Sequence, residues 1–190
     1  ESIFAQMAME THQIPSWIVV SAGTGGTSAT IGRYLRYNPA LHLKTQLAVV
    51  DPDNSVFYDY YRDRDSAISN NKGSRIEGIG RPRVEPSFLP DVVDHMIQVP
   101  DAASIATIRW LEGVLGRKCG GSTGTNVYGA LKLIAQMIEN KQQGSVVSMI
   151  CDAGERYLNT YYDDEWVAQQ QLDLAPYTQQ LENFMLAGKM

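Results

Sequence analysis

Trp17-Ile18-Val19-Val20 runs straight into Ser21-Ala22-Gly23-Thr24-Gly25-Gly26-Thr27, and an amphipathic stretch from Ile31 to Leu35 follows. An apolar run without alternation reads as a buried strand, the glycine and threonine run as a turn, and the next segment as a helix. Glycine permits positive φ and close backbone approach, threonine hydroxyls can donate, and an uncapped helix start presents free N–H groups and the positive end of its dipole. Such a junction is suited to an anion, and a phosphate monoester needs no lysine to be held there. The spacing is neither the dinucleotide fingerprint, whose last glycine is replaced by Ser28, nor a Walker-type loop, because no Gly-Lys-Ser/Thr follows. A plain strand-to-helix turn is the alternative.

Outward from this junction the chain alternates strands and helices. Ile3, Phe4, Met7 and Ala8 share one helical face, and Pro15 closes that helix before the strand at Trp17. Asn38-Pro39 stops the helix after the glycine loop, and Gln46 to Val50 reads as a second strand ending in Asp51-Pro52. Phe57 to Asp65, with the polar Ser66 to Ser74, is expected to be a surface excursion. Val92 to Val99 is expected to be a strand, with Asp101 capping the helix that carries Ile105, Ile108 and Leu111. These alternations predict an α/β fold with a parallel or mostly parallel sheet and helices on both faces.

A second junction, Cys119-Gly120-Gly121-Ser122-Thr123-Gly124-Thr125, enters a helix whose apolar face is Val127, Ala130, Leu131, Ile134, Met137 and Ile138. Two such turns at strand ends would face one crevice, where open parallel sheets bind ligands. Val146 to Ile150 is the last expected strand, and Tyr177, Leu181, Phe184 and Met185 share a face of a C-terminal helix.

Composition narrows the partners. The chain has 190 residues, 44% hydrophobic, and a formal net charge of -5 without a long basic run, so neither nucleic acid nor an anionic membrane is an expected partner. Cys119 and Cys151 have no zinc or disulfide-scaffold spacing and read as buried small residues, which makes the cytoplasm the expected location. His12, His42 and His95 share no metal or triad spacing, so no metal site is expected.

The order of motifs resembles a known family. Val20 to Thr27, Asp51-Pro52, Glu77-Gly78-Ile79-Gly80, Gly121-Ser122-Thr123-Gly124 and Gly154-Glu155-Arg156-Tyr157-Leu158 together resemble the C-terminal half of cysteine synthases and cystathionine β-synthases, which are fold-type II pyridoxal-phosphate enzymes. The resemblance covers about residues 1 to 162, leaving 163 to 190 as a C-terminal helical extension. It implies pyridoxal 5'-phosphate as cofactor, with Gly23, Thr24, Gly25, Gly26 and Thr27 around its 5'-phosphate and Ser122 at its pyridine nitrogen. A serine does not hold that nitrogen protonated, so the ring is a weaker electron sink, which suits β-elimination. Gly78, Ile79 and Gly80 match the segment on the substrate side. Arg81 and Arg83 depart from the acetylserine-type pattern, and one of them is a candidate partner for the phosphate of O-phosphoserine. Glu155 and Arg156 read as anchors, Tyr157 and Leu158 as packing residues.

The implied reaction is β-replacement on O-acetylserine or O-phosphoserine by a sulfur nucleophile, with sulfide, thiosulfate and homocysteine all open as donors. A homodimer acting on small-molecule amino acids is the implied assembly. Threonine dehydratase or synthase chemistry, or a non-catalytic relative that binds a phosphorylated ligand or a peptide, are the alternatives. None of Lys44, Lys72, Lys118, Lys132, Lys141 and Lys189 has the surroundings of the family's Schiff-base lysine, and the opening Glu1-Ser2-Ile3-Phe4 lacks a methionine. The chain is therefore expected to be part of a longer enzyme and inactive alone.

Overall fold

The structure, a computed structural model, describes residues 1–190. Its sheet contains β1 (Trp17–Ser21), β2 (Gln46–Pro52), β3 (His95–Val99) and β4 (Val146–Ser148) in the spatial order β3-β2-β1-β4, and every pairing is parallel. Trp17 stands opposite both Gln46 and Val146. Parallel neighbours send their carboxyl ends to one side, so the segments after β1 and β4 emerge side by side.

Helices cover both faces, as the unbroken apolar runs require. Ile18, Val20, Leu47 and Val49 pack toward Leu35 of α2 (Gly26–Tyr37) and Phe57 of α3 (Phe57–Asp63), with Ile3 and Phe4 of α1 (Ser2–Met7) alongside. The alternate residues Val19, Ala48 and Val50 pack toward Ala103 and Ala106 of α4 (Asp101–Leu115), Leu131 and Leu133 of α5 (Gly121–Glu139) and Leu181 of α7 (Ala175–Ala187). A third cluster joins Ile76, Ile79, Ile105 and Ile108 to Tyr157, Tyr161 and Val167, the last on α6 (Asp164–Gln169). α4 and α5 approach closely: a Cβ on Gly124 would lie 2.0 Å from the Ser104 carbonyl oxygen, and Ser104 and Thr125 share a hydroxyl hydrogen bond of 2.7 Å.

Several local expectations are corrected. Phe57 to Asp63 is a helix and no excursion, because Phe57 is fully buried and stacks on Phe88 with ring centroids 4.4 Å apart. β3 begins only at His95; before it the Asp94 amide still donates to the Leu47 carbonyl at 2.9 Å, but the return bond from the Leu47 amide goes to the Asp94 carboxylate at 2.7 Å, which also pairs with Arg36. Asp101 is not a cap. Pro100 holds that position, while Asp101 is buried in the first turn with its amide donating to Asp53 Oδ2 at 2.9 Å. β4 stops at Ser148, two residues short of the expected end. Met185 and Ile138 are exposed, outside the apolar faces assigned to them, and Leu158, expected to pack, is exposed as well.

Candidate functional site

A cleft of about 740 Å³ opens at the carboxyl ends of β1 and β4. Its walls are Ser21 to Thr27, Glu77 to Ile79, Ser122, Met149 to Asp152, and the pair Arg156 and Tyr157.

The first wall is an amide-rich turn. Gly25 has φ 92° and ψ -2°, and a Cβ on it would stand 2.4 Å from the Phe88 Cα, so only glycine fits. It caps α2 without a side-chain hydrogen bond, leaving the first-turn amides of Gly26, Thr27 and Ser28 unsatisfied. Ser28 and Thr30 turn their hydroxyls back onto the Gly25 and Gly26 carbonyls. Thr24 and Thr27, both exposed, keep theirs free toward the cleft. Free amides, free hydroxyls and the positive end of a 12-residue helix make this wall a receptor for an anion.

The second wall closes on the first from the side. The Gly80 amide donates to the Ala22 carbonyl at 2.8 Å, and a Cβ on Gly23 would come 2.5 Å from the Gly78 carbonyl oxygen.

Ser122 stands in the first turn of the 19-residue α5. Its neighbours are engaged: Thr123 Oγ1 accepts from the Cys151 amide at 3.0 Å, and Thr125 Oγ1 bonds the Gly121 carbonyl at 3.2 Å. The Ser122 hydroxyl is only 7% exposed as a residue, lines the cleft, and has no partner in the protein. It is free to donate to an acceptor bound there.

Gly23 to Thr27, Gly78, Ile79 and Ser122 are thus gathered in one cleft, as the sequence leads one to expect. Gly80, Arg81 and Arg83 are not. Gly80 is wedged against Pro52 and Ser55, Arg81 donates to the Gly80 carbonyl at 2.9 Å and faces Glu85 at 3.9 Å, and Arg83 lies 3.7 Å from Glu85 with its side chain 78% exposed. Neither guanidinium lines the cleft; both lie within 4 Å of Glu85, and Arg81 also borders the glycine turn, its Nη2 3.7 Å from where a Cβ on Gly23 would stand.

The sequence reading missed the fourth wall. Cys151 is exposed and lines the cleft, whereas Cys119 is buried. β4 ends at Ser148, whose hydroxyl donates to the Val19 carbonyl at 3.0 Å, and the chain then turns outward. Asp152 Oδ2 accepts from the Tyr157 hydroxyl at 2.7 Å; burial, and next this bond, push the tyrosine well above its ordinary range. Arg156 pairs with Glu77 at 3.0 Å across the mouth. The available signal was position: this segment follows a strand's carboxyl end, as the glycine loop does. No lysine lines the cleft, and no cluster of His, Cys, Asp or Glu is arranged for a metal ion.

Fold and cleft together define a parallel α/β class of protein in which a glycine-threonine turn and a helix-borne serine face one cleft. The chain belongs to the pyridoxal-phosphate dependent enzyme family, whose model matches residues 1–152. The L-cysteine desulfhydrase of Mycobacterium tuberculosis is 58% identical over 175 residues, 92% of this chain and 47% of that protein. Cysteine synthase 1 of Neurospora crassa is 32% identical over 155 residues, 80% of this chain and 40% of that protein. The crystal structure of O-ureido-L-serine synthase shares the fold, with a TM-score of 0.66 and 24% identity over 87% of this chain and 50% of that one. The chain spans about half the length of the curated relatives it matches. The residues present are of the kind the family's cofactor would need: open amides suited to a phosphate and an unpartnered Ser122 hydroxyl suited to a ring acceptor.

Proposed function

We propose that the enzyme containing this chain acts on the bond between sulfur and the β-carbon of an amino acid, with desulfhydration of L-cysteine as its reaction. The observation that carries this is the single cleft in which the Gly23 to Thr27 turn and the Ser122 hydroxyl come together. The amides of Gly26, Thr27 and Ser28, with the hydroxyls of Thr24 and Thr27, bind the 5'-phosphate of pyridoxal phosphate, and the α2 dipole adds to that grip. Ser122 donates to the pyridine nitrogen and sets the rotation of the ring. Gly78 and Ile79 line the side from which the amino acid enters. When bound, the cofactor supplies an electron sink that acidifies the α-proton of an amino acid and lets a β-substituent depart.

Identity of 58% to a cysteine desulfhydrase supports elimination. The 32% identity to a cysteine synthase supports a second reading, β-replacement on an activated serine by a sulfur nucleophile. Neither Arg81 nor Arg83 lines the cleft, which favours O-acetylserine over O-phosphoserine as the activated serine. We further propose residues 1 to 162 as cofactor-binding and 163 to 190 as a helical extension, which packs α7 on α4 and Leu181 into the main core. No lysine lines the cleft, and we take the chain alone to be inactive. The free thiols at Cys119 and Cys151 support a reducing, cytoplasmic setting, and a homodimer is the proposed assembly.

The test uses the complete enzyme. Sulfide and pyruvate released from L-cysteine are compared with cysteine formed from O-acetylserine and sulfide, for wild type and Ser122→Ala. Sulfide release that exceeds cysteine formation, with weakened cofactor binding in the variant, is the expected result. Dominant cysteine formation selects the second reading; preferential release of an oxo acid from threonine rejects both. A colourless protein that still binds phosphate is a binding module instead.

A further inference from the structure

The glycine-threonine turn offers hydrogen bonds but no formal charge. No lysine lines the cleft, and the one arginine that does, Arg156, is paired with Glu77 at 3.0 Å. A phosphate monoester carries about two negative charges at neutral pH, and the end of α2 answers with only about half a positive charge. Most of the anion's charge is left unbalanced by the turn itself.

Arg81 stands beside this turn without entering the cleft. Its Nη2 is 3.7 Å from where a Cβ on Gly23 would be, so the bare glycine leaves no side chain between the guanidinium and the main chain of the turn. Arg81 is held there at three points. Its amide donates to Ser55 Oγ at 3.2 Å, its carbonyl accepts from the Val56 amide at 2.9 Å, and its Nη1 donates to the Gly80 carbonyl at 2.9 Å.

This charge is not cancelled by its neighbours. Glu85 Oε1 lies 3.9 Å from Arg81 Nε and 3.7 Å from Arg83 Nε, so two guanidinium groups share one carboxylate and the trio keeps an unbalanced positive charge. Neither distance is that of a hydrogen bond, and a guanidinium does not lose its proton in a protein. Arg81 is the inner member, its side chain 33% exposed against 78% for Arg83, and a partly buried charge is screened less by salt and water.

We infer that Arg81 strengthens the hold on the cofactor's phosphate through its field, acting across the main chain of the turn without touching the phosphate. The inference rests on the cofactor placement proposed above. The turn supplies shape and hydrogen bonds, Arg81 supplies the charge that the turn lacks, and Glu85 sets how much of that charge is felt. Arg81 is accordingly a positioning residue, and its ligand is the cofactor's phosphate and not a substrate's.

The test measures the affinity of the complete apoenzyme for pyridoxal phosphate and for pyridoxal, which lacks the phosphate, at about 0.05 M and about 0.5 M salt. Arg81→Gln should weaken binding of pyridoxal phosphate about tenfold at the lower salt and leave pyridoxal unchanged, with a smaller difference at the higher salt. Arg81→Lys keeps the charge and should stay within about threefold of wild type. Glu85→Gln removes the shared carboxylate and should tighten pyridoxal phosphate about threefold, a gain that a merely structural role for Arg81 does not produce. An unchanged ratio of the two affinities in Arg81→Gln, a loss in Arg81→Lys as large as in Arg81→Gln, or no tightening in Glu85→Gln overturns the inference. Wild-type enzyme that binds pyridoxal as tightly as pyridoxal phosphate overturns the cofactor placement instead.

Discussion

Gly25 and Gly26 are adjacent in the same turn, and the structure assigns them opposite sensitivities to one added methyl group. Gly25 has φ 92°, where a side chain costs about 1–2 kcal/mol. Its Cβ would also stand 2.4 Å from the Phe88 Cα, a main-chain atom that cannot swing aside, and overpacking of that kind costs about 1–3 kcal/mol. Gly25→Ala should therefore lose about 2–5 kcal/mol, which for a chain of this size lowers the melting temperature by about 4–20 °C. At Gly26 the added Cβ meets only Thr24 Oγ1 at 3.9 Å, and the residue is helical. Gly26→Ala should leave stability unchanged or raise it by up to about 1 kcal/mol. The methyl group would project beside the free amides, so this variant should bind pyridoxal phosphate more weakly despite its intact fold. Thermal unfolding of the complete apoenzyme, paired with cofactor titration by fluorescence, separates the two effects. Equal stability of Gly25→Ala and wild type, or equal damage from both substitutions, would refute the packing account of this loop.

Other consequences concern protons and thiols. Burial pushes the Asp51 carboxyl up to about 7, above its value in an unfolded chain. Between about pH 4 and 7 the folded form keeps a proton that the unfolded form has lost, so stability should decline across that window by up to about 4 kcal/mol. Asp51→Asn should flatten the profile, and chemical denaturation at a series of pH values would show it; a variant that keeps the decline rules Asp51 out as its source. Asp101, pushed up to about 6 chiefly by burial, should add a smaller decline of the same sign. Cys151 is exposed in the cleft and Cys119 is 1% exposed, so iodoacetamide should alkylate one cysteine of this chain in the native protein, at Cys151. Bound cofactor should slow that reaction, and peptide mass analysis that finds label at Cys119 first would contradict the burial pattern.

Much of the site was legible because its chemistry is local. The strand Trp17 to Val20, the Gly23 to Thr27 turn and the start of α2 are one contiguous segment, and backbone permissiveness, free amides and helix polarity are properties of neighbours in sequence. Ser122 was legible for the same reason, as a hydroxyl within the first turn after paired glycines. Where the reading went astray, a distant partner had taken control. Phe57 looked like part of a polar excursion until Phe88, 31 residues away in the chain, stacked on it. Arg81 and Arg83, candidates for a phosphate on residue type alone, do not line the cleft and lie within 4 Å of Glu85.

Residue types and their order alone determined that this is a parallel α/β protein of the pyridoxal-phosphate dependent family, with one turn built for an anion. Alternation between the two faces of a strand and the short-range geometry of a turn need no knowledge of what lies across the molecule. Only the tertiary structure decided that β4 lies beside β1, that its following segment completes the cleft, and that the room over Gly120 is filled by the Asp152 carboxylate. Strand order and close approach between remote segments depend on how three separate clusters pack at once, and no local pattern encodes that sum.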